Sequence, residues 1–265
     1  MLKVIKSLVI VLLLLTNRNP VLGTTPTPSI EGYKVKTVVI DAGHGGHDPG
    51  TVGKRAKEKN VVLKLALELG KRIKDEYPDV KVLYTRTTDK FVDLSDRSGY
   101  ANHNNADLFI SLHCNSSPRS KAVKGTETFV MGLHKTDGNL EVAKRENSVI
   151  LKETNYQQKY KGFDPDSPLA YIMLANYQSA FLTNSLRFAQ HVENNFGKFR
   201  TSRGVKQAGF LVLWRTTMPS VLVEVGFLSN PEEENYLLSE EGNAENAERI
   251  LKAFGAYKRA VETEE

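Results

Sequence analysis

Apolar positions along this chain fall into two rhythms. Residues 34–41 (KVKTVVID) are β-rich and largely apolar, the pattern of a strand covered on both faces. From Asn60 onward (NVVLKLALELGKRIKDEY) apolar residues recur at 62, 63, 65, 66, 69 and 73, a helical stripe. The same reading predicts strands over 80–84, 107–113 (DLFISLH) and 125–131 (GTETFVM), with a helix in VDLSDRSGYANHNN. A mostly polar region, roughly 132–168, precedes a long helix over about 168–196. Residues 210–213 and 220–224 (SVLVE) read as two further strands, followed by 231–238 and a helix near 243–261. Strands alternating with helices imply an α/β domain with a mainly parallel sheet and helices on both faces. In such sheets ligands sit beyond the carboxyl ends of the strands.

That rule gathers the chemically interesting residues. His44 follows the first strand inside a glycine loop (VVIDAGHGGHDPGTVG), His113 ends the third, and Glu224 ends the last. Glycines let a backbone pass closely around a bound group, which suits a metal or a phosphate alike. Catalytic zinc commonly takes three protein ligands and keeps a fourth position for water. His44, Glu58 and His113 supply such a set, and Glu224 is the candidate proton acceptor. An acid at the end of the apolar run VLVE is costly to bury without a role.

Each residue also has a purely structural reading. His44 can be a turn histidine, Glu58 can favour its helix through the dipole, and Glu224 can cap a loop. His47 sits in turn chemistry with Asp48-Pro49-Gly50; His103, His134 and His191 read as structural or surface residues. Cys114 neighbours His113, but adjacent strand side chains point to opposite faces, so no thiol dyad is expected and Cys114 reads as a small buried residue. As the only cysteine in the chain, it also excludes an intramolecular disulfide.

Composition adds a destination. Lys3 and Lys6 precede an unbroken apolar run at 8–15, and Val21-Leu22-Gly23 resembles a cleavage site. Residues 1–23 therefore read as a secretory signal peptide, with a core too short for a transmembrane span. They hold three basic and no acidic residues, so their removal lowers the formal net charge of the 265-residue chain from +5 to +2. The charge is then no argument for nucleic acid. Residues 24–33 form a linker, and 34–262 suit one domain with a substantial core.

Taken in order, VVIDAGHGGHDPGTVG, EKN, VLYTRTTD, LSDRSGYANHNNADLFISLHCNS, GTETFV and MPSVLVEVGFLSNPEEE resemble the zinc-dependent N-acetylmuramoyl-L-alanine amidases of bacterial cell walls. The resemblance runs from about Thr37 to Tyr257. It implies a six-stranded α/β sheet, one zinc ion held by His44, Glu58 and His113, and Glu224 as the catalytic acid. The reaction implied is cleavage of peptidoglycan between N-acetylmuramic acid and the L-alanine of the stem peptide, in wall turnover or daughter-cell separation. An exported, monomeric enzyme is expected, in the periplasm with the cell wall or the extracellular space as alternatives, with no nucleic acid partner and no membrane contact beyond the signal. Arg86 and Arg97 are expected as buried partners of carboxylates such as Asp89 or Asp93.

Some exported members of that family carry an inserted helix over the zinc cleft. Residues 139–167 occupy that position here and are a candidate lid, with Glu146 or Glu153 able to reach the zinc and a protein activator acting on the segment. The competing expectations are a surface helix that only shapes the groove, a zinc peptidase cutting within stem peptides, and a non-catalytic peptidoglycan-binding regulator.

Overall fold

The computed structural model describes residues 33–175 and 180–263. The expected signal peptide at 1–23, and all of the expected linker except Tyr33, lie outside them. The elements, in chain order, are β1 (Thr37–Ala42), α1 (Glu58–Glu76), β2 (Lys81–Tyr84), α2 (Leu94–His103), β3 (Leu108–Asn115) and β4 (Thr126–Met131). Next come α3 (Asp137–Asn147), a 3-10 turn (Ser148–Lys152), α4 (Tyr156–Lys159), α5 (Pro168–Ala175) and α6 (Leu182–Gly197). The chain closes with β5 (Ser202–Ala208), α7 (Leu211–Trp214), β6 (Ser220–Phe227), α8 (Pro231–Leu238) and α9 (Glu240–Glu262).

The strands form one six-stranded sheet in the order β2-β1-β3-β6-β4-β5. Alternation along the strands divides the core between its two faces. Val38, Ile40, Leu108, Ile110 and Leu112 join α1, α6 and α9 on one side; Val39 and Phe109 join α7 and the buried residues of α3 and α5 on the other. Every residue of β3 and β6 is buried, as central strands require.

The sheet is mainly parallel, as expected, and three other sequence expectations need correction. Its one antiparallel strand pairing among the described residues is β4 with β6, while β5 runs parallel to β4. A parallel return after β3 needs a crossover, normally a helix; the chain reaches β4 without one and enters the sheet in the opposite direction. Residues 211–214 are helical, and the fifth strand is the polar, half-exposed SRGVKQA at the sheet edge. The long helix over 168–196 is two helices, α5 and α6. Finally, β3 and β6 run on past His113 and Glu224, which stand beside each other in register rather than at strand ends.

Phe254 is fully buried on α9 and meets Tyr77 edge to face, with ring centroids 5.3 Å apart. Phe254→Ala is expected to cost about 3–5 kcal/mol of unfolding free energy in a urea titration; a loss below about 1 kcal/mol would contradict this packing.

Candidate metal centre

The site starts where β1 leaves the sheet. Its exit loop turns at His44, which adopts a left-handed backbone (φ 59°) that a residue with a Cβ enters only under constraint. Two buried arginines provide that constraint. Arg97 donates to the carbonyls of His44 (2.8 Å) and Ala42 (2.9 Å) and pairs with the fully buried Asp41 at 2.9 Å. Arg86 donates to Ala42, Gly43 and Lys59 carbonyls at 2.7–2.8 Å. The expected partners are engaged elsewhere, Asp89 with Lys59 and Asp93 with Lys159. A guanidinium with five donors serves here mainly to hold backbone carbonyls.

This clamp delivers His44 to a cluster with Glu58, the first residue of α1, His113 of β3 and Glu146 of α3. Four donor atoms form a closed ring. His44 Nε2 lies 3.1 Å from Glu58 Oε1 and 3.1 Å from Glu146 Oε2, and His113 Nδ1 lies 3.1 Å from each of the same two oxygens. A tetrahedral zinc site with bonds near 2.0–2.1 Å has donor–donor edges of roughly 3.3 Å. His44 Nε2 and Glu146 Oε2 are buried and have no hydrogen-bond partner, as expected of lone pairs aimed at a common centre. Asp48 accepts from His44 Nδ1 at 2.7 Å, which leaves Nε2 free to coordinate. Glu58 is fixed by the N–H groups of Cys114 and Thr51, both at 2.7 Å. Close packing explains two of the glycines: a Cβ at Gly43 would meet the His113 ring at 2.5 Å, and one at Gly50 would meet His44 and Glu58 at 2.5 and 2.6 Å. Two imidazoles and two carboxylates in a buried pocket fit a divalent metal.

Electrostatics agree with that fit. Burial alone would lower His113, but Glu146 and Glu58 outweigh it and raise its pKa to about 9. Burial likewise opposes the charged form of His44, and Glu58, Asp48 and Glu146 raise it well above 6.5. Burial would raise Glu58, yet His44 and His113 hold it down at about 2. Glu146 is lowered too, because His113 and Arg145 overcome its burial.

Glu224 stands in register with His113, and burial followed by repulsion from Glu146 raises its pKa well above the usual carboxyl range. Both of its oxygens lack hydrogen-bond partners, and Arg145 Nη2 lies 3.6 Å away. Glu153 is not in the cluster: it accepts from the Leu94 N–H and the Tyr160 hydroxyl, both at 2.8 Å. His47 packs on Phe91, and the buried Cys114 has its thiol pKa pushed well up by burial. Sequence reasoning missed Asp48, which it treated as turn chemistry; its spacing of four from His44 was the available clue.

A family model described as N-acetylmuramoyl-L-alanine amidase matches residues 38–255. The chain belongs to that family. It is 36% identical over 226 residues to the N-acetylmuramoyl-L-alanine amidase AmiC of Escherichia coli O6:H1, covering 83% of this chain and 52% of that protein. It is 33% identical over 207 residues to AmiA of Escherichia coli K12, covering 76% and 69%. The chain thus spans about half the length of AmiC. The solved catalytic domain of CwlV, an amidase of Bacillus (Paenibacillus) polymyxa var. colistinus, superposes with a TM-score of 0.57 at 32% identity, covering 84% of this chain and 97% of that domain.

Two predictions follow from the geometry. Asp48→Ala should weaken divalent-metal binding about 10- to 100-fold in competition with a chromophoric chelator; unchanged affinity would exclude Asp48 as the residue that orients His44. In metal-free protein, the imidazolium of His113, raised from 6.5 to about 9, stabilises the fold fully below pH 6.5 and loses that contribution as pH rises through 9. The urea midpoint of chelator-treated protein should therefore fall between those pH values, and a midpoint that rises there contradicts the pairing.

Proposed function

We propose that this chain is a zinc-dependent N-acetylmuramoyl-L-alanine amidase described in a closed form. Its substrate is peptidoglycan, and the bond cut is the amide between the lactyl group of N-acetylmuramic acid and the L-alanine of the stem peptide. The observation that carries this reading is the ring of four donors at 3.1 Å beside an unbonded, buried Glu224, in a chain of this family.

His44, Glu58 and His113 would hold the zinc, with Glu146 in the place a hydrolase keeps for water. Zinc bound there supplies a Lewis acid that polarises the scissile carbonyl and acidifies water. Glu224 accepts the proton of the attacking water and passes it to the leaving nitrogen. Its burial makes it a strong enough base for the first transfer and leaves it protonated for the second. The Arg97–Asp41 clamp keeps His44 aimed, and Gly43 and Gly50 leave room for the ligand side chains.

Glu146 and Arg145 both belong to α3, so withdrawal of one helix would clear the fourth position and release Glu224 together. The 139–167 segment is tied down by Lys152 on Asp48 (3.1 Å), by Glu153 on the Leu94 N–H and by the Tyr160 hydroxyl on the Ser95 N–H (2.9 Å). A protein that binds this segment and breaks those ties would act as an activator. The signal-like residues 1–23 would deliver the enzyme to the periplasm.

Mass spectrometry of purified peptidoglycan digested by zinc-loaded residues 24–265 tests this. Peptides beginning at L-alanine, with intact glycan strands, are expected. Glu146→Ala should raise the rate about tenfold or more, and Glu224→Gln should lower it about 10²- to 10⁴-fold with zinc retained. Cuts inside the stem would replace the amidase with a peptidase. Silence from both the native and the Glu146→Ala proteins would favour a binding protein.

A further inference from the structure

α3 carries a second residue into the site, and the hydrolytic chemistry leaves its contacts unexplained. Arg145 Nη2 donates to Asn115 Oδ1 at 2.9 Å and lies 3.6 Å from Glu224 Oε1. Its Nη1 donates to the Ser116 carbonyl at 3.3 Å, and its Nε to Glu146 at 3.0 Å. One guanidinium therefore covers the proposed base and two neutral acceptors at the end of β3.

Asn115 is built to accept. It is 1% exposed and stands two residues beyond His113, past a register shift in the pairing of β3 with β6. Its Nδ2 donates to Glu127 Oε1 at 2.6 Å. Glu127 is the cross-strand neighbour of Glu224, and its second oxygen is held by Arg203 at 2.9 Å and by Lys206. This lock fixes which end of the amide faces the cleft. Oδ1 then takes the Ser116 N–H at 2.7 Å and, from the covering helix, Arg145. From this point a groove of about 460 Å³ opens between α3 and the β4–β5 edge, with Asn115, Arg145, Glu127, Arg203 and Lys206 in its walls.

When Arg145 withdraws, Asn115 Oδ1 keeps the Ser116 N–H but has its second acceptor position vacant in a buried site, which favours a new donor there. We infer that Asn115 binds the leaving peptide: its Oδ1 accepts the N–H of the first peptide bond beyond the scissile amide, and Arg145 fills the place of that N–H in the closed form. This rests on the amidase reading. The position follows from geometry. Asn115 Oδ1 and Glu224 approach the same guanidinium nitrogen, so they lie within about two hydrogen-bond lengths of each other, the reach of one or two residues of extended chain at roughly 3.3–3.6 Å each. Glu224 serves the scissile nitrogen, and Asn115 meets the next N–H along. The Ser116 carbonyl continues the line.

The test uses a muramyl peptide and its ester analogue, in which the N–H following L-alanine is replaced by oxygen. Zinc-loaded protein carrying both Arg145→Ala and Glu146→Ala, with the acceptors and the fourth metal position uncovered, should show kcat/KM about tenfold lower for the ester, with the difference in KM. Adding Asn115→Ala should lower the amide substrate to the level of the ester and leave the ester unchanged. Calorimetry of the released peptide and its ester should show the same difference in Kd without turnover. Equal kcat/KM for amide and ester in the Arg145→Ala/Glu146→Ala protein overturns the inference, and that comparison needs no Asn115 variant to fold. An ester penalty that persists in Asn115→Ala also overturns it. If neither the Arg145→Ala/Glu146→Ala protein nor Glu146→Ala hydrolyses the amide, the amidase reading fails, and the calorimetric comparison still decides the Asn115 contact.

Discussion

The structure turns on a problem of buried charge. Two imidazoles and two carboxylates meet at 3.1 Å in a pocket where none is more than 8% exposed. Ionised carboxylates in such a place are tolerable only when paired. In the metal-free molecule protonated histidines provide the pairing, which is why both are raised and both acids in the ring are lowered. A divalent cation would provide it better, releasing those protons. Much of the surrounding architecture serves this meeting, from the arginines that hold the left-handed turn at His44 to the glycines through which ligand side chains pass.

The ring joins elements far apart in the chain, and the sheet order makes that possible. β1 and β6 flank β3, so the loop after β1, the end of β3 and Glu224 of β6 share one edge, while α1 begins directly beneath it. α3 arrives from the other side and adds two residues of opposite charge. Glu146 enters the ring, and Arg145 offsets the carboxylates around it. Closing the site by a neighbouring acid–base pair avoids leaving an uncompensated charge at its centre. In the proposed closed form, opening would be a competition between α3 and whatever replaces its contacts, and an activator would have to bind the open arrangement better than the closed one.

Much of this was legible in the sequence, for identifiable reasons. His44 and Glu224 stood out because each interrupts a glycine loop or an apolar strand, where a polar side chain needs a partner. The parts that were not legible are those where local pattern is silent. β5 is polar because it is an edge strand, and residues 211–214 form a short apolar run that periodicity alone cannot assign to helix or strand. The reversal of β4 depends on long-range pairing. Arg86 and Arg97 were expected to seek nearby carboxylates, whereas three-dimensional proximity gave them Asp41 and backbone carbonyls. Glu146 and Glu153 looked alike in a charged stretch; the 3-10 turn between them sends Glu153 to Tyr160 and leaves Glu146 facing the histidines. Asn115 carried no mark, since its role depends on Glu127 across the sheet.

The central claim is that the closed form fills a hydrolytic metal site with a fourth protein ligand. X-ray absorption at the zinc edge of the zinc-loaded protein tests it most directly. Two imidazole nitrogens and two carboxylate oxygens are expected around the metal, with one carboxylate lost and water gained in Glu146→Ala. Identical spectra from the two proteins, with water already bound in the native chain, would contradict it.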